Sequence, residues 1–346
     1  MILCRQIGKY GMCQPVPKGN GIRYASAGFE RKRYVACKRR RTRMDGIINV
    51  YKEKGFTSFD VVAKLRGILK TKKIGHTGTL DPDAEGVLPV CVGSATKLCD
   101  MLTDRSKEYK ALMRLGVVTD TQDMTGEVLR TGTVPEDEAL IRETALSFVG
   151  EYAQIPPMYS ALKVNGQKLC DLARQGKVVE RKPRQVTIHE LEITEIALPL
   201  VSMRVHCSKG TYIRTLCQDI GEKLGCGGCM QGLVRTRVSE FTLEEAKTIA
   251  QIEQFRDEDR LDELILPVET VFSSLVPVRV KAAAQRLLDN GNPIRAGLTD
   301  GGDFTDGVQV RMYHSDGQFC GVYAYHEQER MLKPVKIFSV RQQDHA

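Results

Sequence analysis

From residue 44 onward, apolar and polar positions recur with the periods of strands and helices. Met44-Asp-Gly-Ile-Ile-Asn-Val-Tyr51 reads as a first strand, and Val87 to Val92 as a buried one. Between them, Thr57-Ser-Phe-Asp60 has the form of a capping box, and Val61, Val62, Leu65, Ile68 and Leu69 recur on one helical face. Ala95 to Leu102 predicts a short helix. Tyr109 to Leu115 predicts a strand, closed by the polar turn Thr119 to Gly126, and residues 135 to 149 predict a helix. Val201 to His206 alternates as a half-buried strand does. Cys207-Ser-Lys-Gly-Thr-Tyr-Ile-Arg214 then leads into a helix with Ile213, Cys217, Ile220 and Leu224 on one face, and Thr242 with Glu245 predicts the cap of another.

The texture changes after about residue 276. A helix near Ala282 to Asn290 is expected to stop at Gly291. Short strands follow at Val308 to Tyr313, Phe319 to Tyr325 and Pro334 to Val340. The pattern predicts a large mixed α and β part and a small β-rich part, with no internal repeat. Residues 154 to 176 break the periodicity; they are irregular, basic and aromatic, the composition of a contact loop.

Charge changes this picture at one end. The formal net charge is +8, yet residues 1–43 hold twelve Lys or Arg and one acid, Glu30. The remainder is slightly acidic, so any nucleic-acid surface on it must be local. Residues 1–43 have little apolar periodicity and are expected to be disordered. Three readings stand for them: translation from an upstream start codon, a basic RNA-binding arm, or an organellar transit peptide. The first is favoured, with the true start at Met44.

The eleven cysteines scatter without the regular spacing of a disulfide framework, which points to reduced thiols and a cytoplasmic protein. Cys226-Gly-Gly-Cys229 has metal spacing but lacks a second pair, and is read as coincidence. No apolar run reaches the length of a membrane span, so no membrane association is expected.

The densest candidate chemistry lies in Gly75-His-Thr-Gly-Thr-Leu-Asp-Pro-Asp-Ala-Glu-Gly-Val-Leu-Pro89. Its glycines and prolines mark a loop held in a defined shape, and Pro82 pushes Asp81 toward an extended backbone. By residue type alone Asp81 is a solvated turn aspartate, Arg214 a surface helix cation and Asp123 a turn cap.

Taken together, several segments resemble the TruB-type tRNA pseudouridine synthases. These are the loop from Gly75 to Pro89, Lys107-Glu-Tyr109, Arg114-Leu-Gly with Thr119-Asp-Thr-Gln-Asp123, Cys207 to Thr215, Lys52 with Gly55 and Thr57-Ser58, and Leu233-Val-Arg-Thr-Arg237. They occur in order from Met44 onward. The resemblance implies an α+β pseudouridine synthase fold: a mixed-sheet catalytic core over residues 44–275, with an RNA-contact loop near 154–176, and a PUA-like RNA-binding domain over 276–346. It implies an isomerase acting on uridine 55 in the T loop of tRNA, with no cofactor, no metal, no obligatory protein partner and a monomeric state. The alternatives are a non-catalytic tRNA-binding or folding protein on the same scaffold, or a synthase for another RNA uridine.

By match, Asp81 is the nucleophile, Arg214 its partner, Asp123 a second carboxylate on that arginine, and Tyr109 the active-site tyrosine. Buried, Asp81 needs a cation to stay ionised, which Arg214 would supply. His76 matches a residue that fills the space left by a flipped base, and Tyr212 one that packs on the base or supports Arg214. Leu233, Lys52 and Lys163 complete the expected substrate contacts, with Lys97, Lys168 and Arg174 as further RNA-contact candidates. Two positions depart from the family pattern: Glu53 stands where a proline is usual and Val234 where an arginine is usual.

Overall fold

The computed structural model describes residues 45–338. The expectations for residues 1–43, and the end of the last predicted strand, lie outside them.

The chain opens with β1 (Gly46–Lys52) and α1 (Ser58–Leu69). The predicted capping box forms: Thr57 Oγ1 accepts from the Asp60 amide and the Asp60 carboxylate accepts from the Thr57 amide. The face of Val61, Val62, Leu65, Ile68 and Leu69 is buried as the spacing predicts. Next come β2 (Ile74–His76) and β3 (Glu85–Val92), which flank the Gly/Pro loop. The predicted helix at 95–102 is a 3-10 turn, Gly93–Leu98, running into α2 (Cys99–Thr103). In β4 (Lys107–Leu115) every second residue is buried, the period of a strand with one face on the core. A short ribbon, β5 (Val117–Thr119) and β6 (Val128–Thr131), precedes α3 (Glu138–Leu146) and β7 (Gly150–Gln154).

The irregular segment has more structure than its periodicity indicates. It carries a two-residue ribbon, β8 (Lys163–Val164) with β9 (Gln167–Lys168), and α4 (Leu169–Arg174). Elements this short leave too few periodic positions to read. Then follow β10 (Arg184–Ala197), β11 (Leu200–Cys207), α5 (Ile213–Lys223), β12 (Gly228–Val238) and β13 (Phe241–Thr242). The predicted cap at Thr242 is wrong. Thr242 pairs with Arg237 in the sheet, and α6 (Ile249–Asp257) starts later under a capping box of Thr248 and Gln251. Both threonines fit the cap pattern by type; the sheet ladder claimed one of them.

The first sheet has nine strands in the order β1-β3-β12-β4-β11-β10-β7, with β2 on β3 and β13 on β12. Every pairing along it is antiparallel except β12 with β3, where Val234 faces Glu85 and Arg235 faces Gly86. That single parallel seam joins the two halves of the sheet. One apolar core lies between β4, β10, β11 and helices α3 and α5; another lies between β1, β3 and helices α1 and α6. Helix α5 approaches β12 so closely that a Cβ on Gly221 would lie 2.2 Å from the Gly228 amide. The glycines of Cys226-Gly-Gly-Cys229 thus have a packing role, and no metal-binding group of His, Cys, Asp or Glu occurs among the described residues.

The C-terminal elements are β14 (Val276–Arg279), α7 (Gln285–Asp289), β15 (Ile294–Arg295), β16 (Gln309–Tyr313), β17 (Phe319–His326) and β18 (Met331–Ile337). They form a second sheet, β14-β16-β17-β18-β15. Gly291 stops the helix in the left-handed region at φ 69°. The last strand begins three residues before the predicted Pro334. Val322 and Phe338 of this part share a core with Ile47, Val87 and Cys91 of the first sheet. No described helix is long and apolar enough to cross a membrane.

Candidate active site

A cleft of about 570 Å³ opens between the Gly/Pro loop, the start of β4, the start of α5 and the segment at Tyr159–Ala161. Asp81, Tyr109, Tyr212, Arg214 and Leu233 all line it.

Each is placed by backbone rather than by neighbours in sequence. Asp81 hangs from the loop between β2 and β3. Ser58 Oγ pins the preceding residue by accepting from the Leu80 amide at 2.9 Å. Arg214 sits in the first turn of α5 and is 5% exposed. All three of its guanidinium nitrogens make contacts. Nε meets Asp81 Oδ2 at 3.0 Å, Nη1 donates to the Thr121 carbonyl at 3.1 Å and approaches Asp123 Oδ2 at 3.4 Å, and Nη2 donates to the Tyr159 carbonyl at 2.9 Å. The planar fork matches this set and a lysine could not. Asp123 is itself held by the Thr121 hydroxyl at 2.7 Å and the Thr125 amide at 3.0 Å. The three charged residues the sequence singled out are therefore brought into one contact network.

The Asp81 side chain is 40% exposed to the cleft and otherwise walled by protein. Burial raises its pKa above the usual carboxylate value, the Arg214 charge opposes that rise, and Asp123 adds to it. Tyr109 is buried, which pushes its phenol up to about 12. His76 ends β2, where its Nδ1 accepts from the Gly78 amide at 3.3 Å; it is not among the residues lining the cleft. Burial, reinforced by the charge of Arg235, lowers its pKa, which favours the neutral ring.

Lys52 is not where an RNA contact could use it. It is fully buried, and its ammonium donates to the carbonyls of Phe56 at 2.6 Å, Pro82 at 3.0 Å and Glu53 at 3.1 Å. It ties the loop behind Asp81 to the end of β1. Burial lowers its pKa to about 8. Lys97 donates to the Ile337 carbonyl at 2.8 Å, and Arg174 pairs with Asp171 at 3.4 Å on the surface. Lys163 and Lys168 differ. They face each other across the β8–β9 ribbon, both exposed, with no ion-pair partner among the described residues. Like charges directly opposite oppose pairing, so an anion between them would relieve a built-in repulsion. Both also line a second hollow of about 410 Å³. Lys52→Met is expected to leave the salt slope of tRNA binding unchanged. Lys163→Ala and Lys168→Ala are each expected to reduce that slope by about one. Binding titrations between low and high salt check both.

The chain matches the TruB family pseudouridylate synthase N-terminal domain over residues 66–213 and the tRNA pseudouridylate synthase B C-terminal domain over residues 214–273. The chain belongs to the TruB family. A tRNA pseudouridine synthase B of Lachnoclostridium phytofermentans is 55% identical over 307 residues, covering 85% of this chain and 100% of that protein. Another, of Alkaliphilus oremlandii, is 46% identical and covers 85% and 97%. Among solved structures, a Cbf5-Nop10-Gar1 complex superposes with TM-score 0.66 at 30% identity, covering 86% of each chain. Family membership makes the chain an isomerase with the pseudouridine synthase fold, a mixed-sheet core and a small C-terminal β domain of PUA-like type.

For a TruB-family chain, the most consequential cleft residue not singled out from sequence is Arg235. It is 1% exposed, and its guanidinium donates to the carbonyls of Val87 at 2.8 Å, Thr79 at 3.4 Å and Gly78 at 3.3 Å. It also hydrogen-bonds the Tyr109 phenol. One buried cation thus holds both the aspartate loop and the tyrosine. Strand period could have found it, since Leu233 and Arg235 lie two apart and face the same side. Lys107, like Arg235, stands within one of the family motifs. It too lines the cleft, donating to the carbonyls of Thr103 at 2.5 Å and Arg105 at 2.6 Å.

Proposed function

We propose that this chain converts uridine 55 in the T loop of tRNA to pseudouridine, with Asp81 as the nucleophile. One observation carries the assignment of Asp81: its carboxylate meets the buried Arg214 at 3.0 Å in a cleft lined by Tyr109, Tyr212 and Leu233. The relatives named tRNA pseudouridine synthase B, at 55% and 46% identity, support tRNA as the substrate.

The reaction breaks the uridine N1–C1′ bond, turns the base and joins C5 to C1′. The C5 proton leaves and N1 gains one, so atoms balance without a co-reactant. A stacked uridine cannot reach Asp81, so the nucleotide is flipped out at a cost of about a few kcal/mol. Arg214 keeps Asp81 ionised and aimed, and Asp123 fixes Arg214 from its other side. Tyr109, Tyr212 and Leu233 form the walls that hold the base, and His76 fills the space it vacates in the loop.

Residues 44–275 supply the chemistry and 276–346 bind RNA. Lys163 and Lys168 contact phosphates of the T arm. The chain acts as a monomer in the cytoplasm. The test maps pseudouridine in tRNA from cells with and without the protein. Loss of the modification at uridine 55 alone is the expected result. Unchanged position 55, with loss elsewhere in RNA, would reassign the substrate.

A further inference from the structure

The base of Arg214 is set by a residue outside the cleft. Helix α5 begins without a side-chain cap: Tyr212 occupies the N-cap position and its side chain makes no capping bond. The entry of the helix is held instead by Gln154, at the end of β7 and 1% exposed. Gln154 Oε1 accepts from the Tyr212 amide at 2.8 Å, and Gln154 Nε2 donates to the Tyr212 carbonyl at 3.0 Å. The second N–H of the same amide points to the Tyr152 phenol. The orientation of the side-chain amide follows from chemistry, because a backbone N–H needs an acceptor and a carbonyl a donor.

Two bonds to one residue restrain rotation as well as position. Tyr212 lines the cleft and lies two residues before Arg214, so tilting this residue swings the guanidinium that meets Asp81. Gln154 also opens the segment that returns to the same guanidinium through the Tyr159 carbonyl. The arginine is thus gripped from its backbone side by Gln154 and from its tip by Tyr159.

We propose that Gln154 is a positioning residue for the isomerisation, acting through the Tyr212 backbone to hold Arg214 against Asp81. This rests on Asp81 and Arg214 being the reacting pair. Without the bracket, Arg214 offsets the burial of Asp81 less well, and the carboxylate protonates at higher pH.

The test is Gln154→Met in the full chain, with Ile252→Ala as a control. Ile252 is buried in the core between α1 and α6 and does not line the cleft, so its truncation costs stability away from it. Single-turnover pseudouridine formation at saturating tRNA, tRNA affinity and the pH profile of the rate are measured at a temperature where all variants are folded. The expected result for Gln154→Met is a rate at least about thirtyfold lower, affinity within about threefold, and an acid limb moved to higher pH. Ile252→Ala should keep the rate and the acid limb of the parent. A Gln154→Met rate within threefold of the parent, or a fall without movement of the acid limb, would overturn the proposal. Asp81→Asn run alongside separates the two readings: if it turns over like the parent, the nucleophile assignment fails, whereas parent-like Gln154→Met beside a dead Asp81→Asn removes only the positioning role.

Discussion

Asp81→Asn is expected to lower single-turnover pseudouridine formation by at least about a thousandfold, the scale on which loss of a nucleophile falls, while tRNA affinity stays within about threefold. The amide keeps the shape of the carboxylate and can still meet Arg214 through its oxygen, so the loop should hold its place. What disappears is the negative charge and the nucleophilic oxygen. Near-native turnover by the Asn variant would sink the assignment.

The same residue predicts a pH dependence. Burial raises the Asp81 pKa, against the opposing pull of Arg214. The reactive form is the carboxylate, so the rate should fall as pH drops through that raised value, at a higher pH than a solvated aspartate would give. For stability the sign is opposite. A carboxylate with a raised folded-state pKa disfavours the folded state when it is ionised, and this cost is relieved as pH falls through that pKa. Activity and the Asp81 contribution to stability should therefore move in opposite directions on the acid side. A pH–rate profile beside urea titrations at matched pH checks both.

Gly86→Ala should have the largest effect on stability, a loss of at least about 3 kcal/mol, because backbone strain and a steric clash coincide. Gly86 adopts φ 106°, and its missing Cβ would lie 2.2 Å from the Arg235 carbonyl oxygen and 2.9 Å from the Arg235 amide. Both are backbone atoms of the strand facing it, so no side chain can move aside. The contact sits on the parallel seam between β3 and β12, where Arg235 pairs with Gly86. Opening the seam displaces the guanidinium that holds the Gly78 and Thr79 carbonyls and the Tyr109 phenol. The midpoint of urea unfolding should drop, and turnover at a permissive temperature should drop with it. An unchanged midpoint would mean that the strands separate at this point without cost.

The elements most legible in the sequence were those with long periods or strong punctuation. The alternation of Val201 to His206 and the face of Val61, Val62, Leu65, Ile68 and Leu69 appear as read. Short elements were not legible. The β8–β9 ribbon and α4 lie in a segment read as irregular, because pieces of two and six residues carry no usable period. Thr242 and Thr248 look alike as caps, and only sheet pairing separates them.

At the cleft, motifs named Asp81, Tyr109 and Arg214, but residue type alone left each with an ordinary surface or packing role. Lys52 shows the limit most clearly. Its sequence neighbourhood offers a cation for RNA, whereas the fold surrounds that cation with the carbonyls of Glu53, Phe56 and Pro82. Gln154 had no local signal, since the residue it serves lies 58 positions away.

Local chemistry along the chain was enough to set several of the strands and helices and the stiff loop that carries Asp81. Those properties depend on dihedral preference and on burial period, which act over a few residues. Which charges meet depended on tertiary structure. The separation of Arg214 from Asp81 follows from the start of α5, the loop between β2 and β3 and the Gln154 bracket on Tyr212. Whether a lysine faces RNA or a carbonyl is decided in the same way, because charge and hydrogen-bond energies depend on distance and burial, and chain folding sets both.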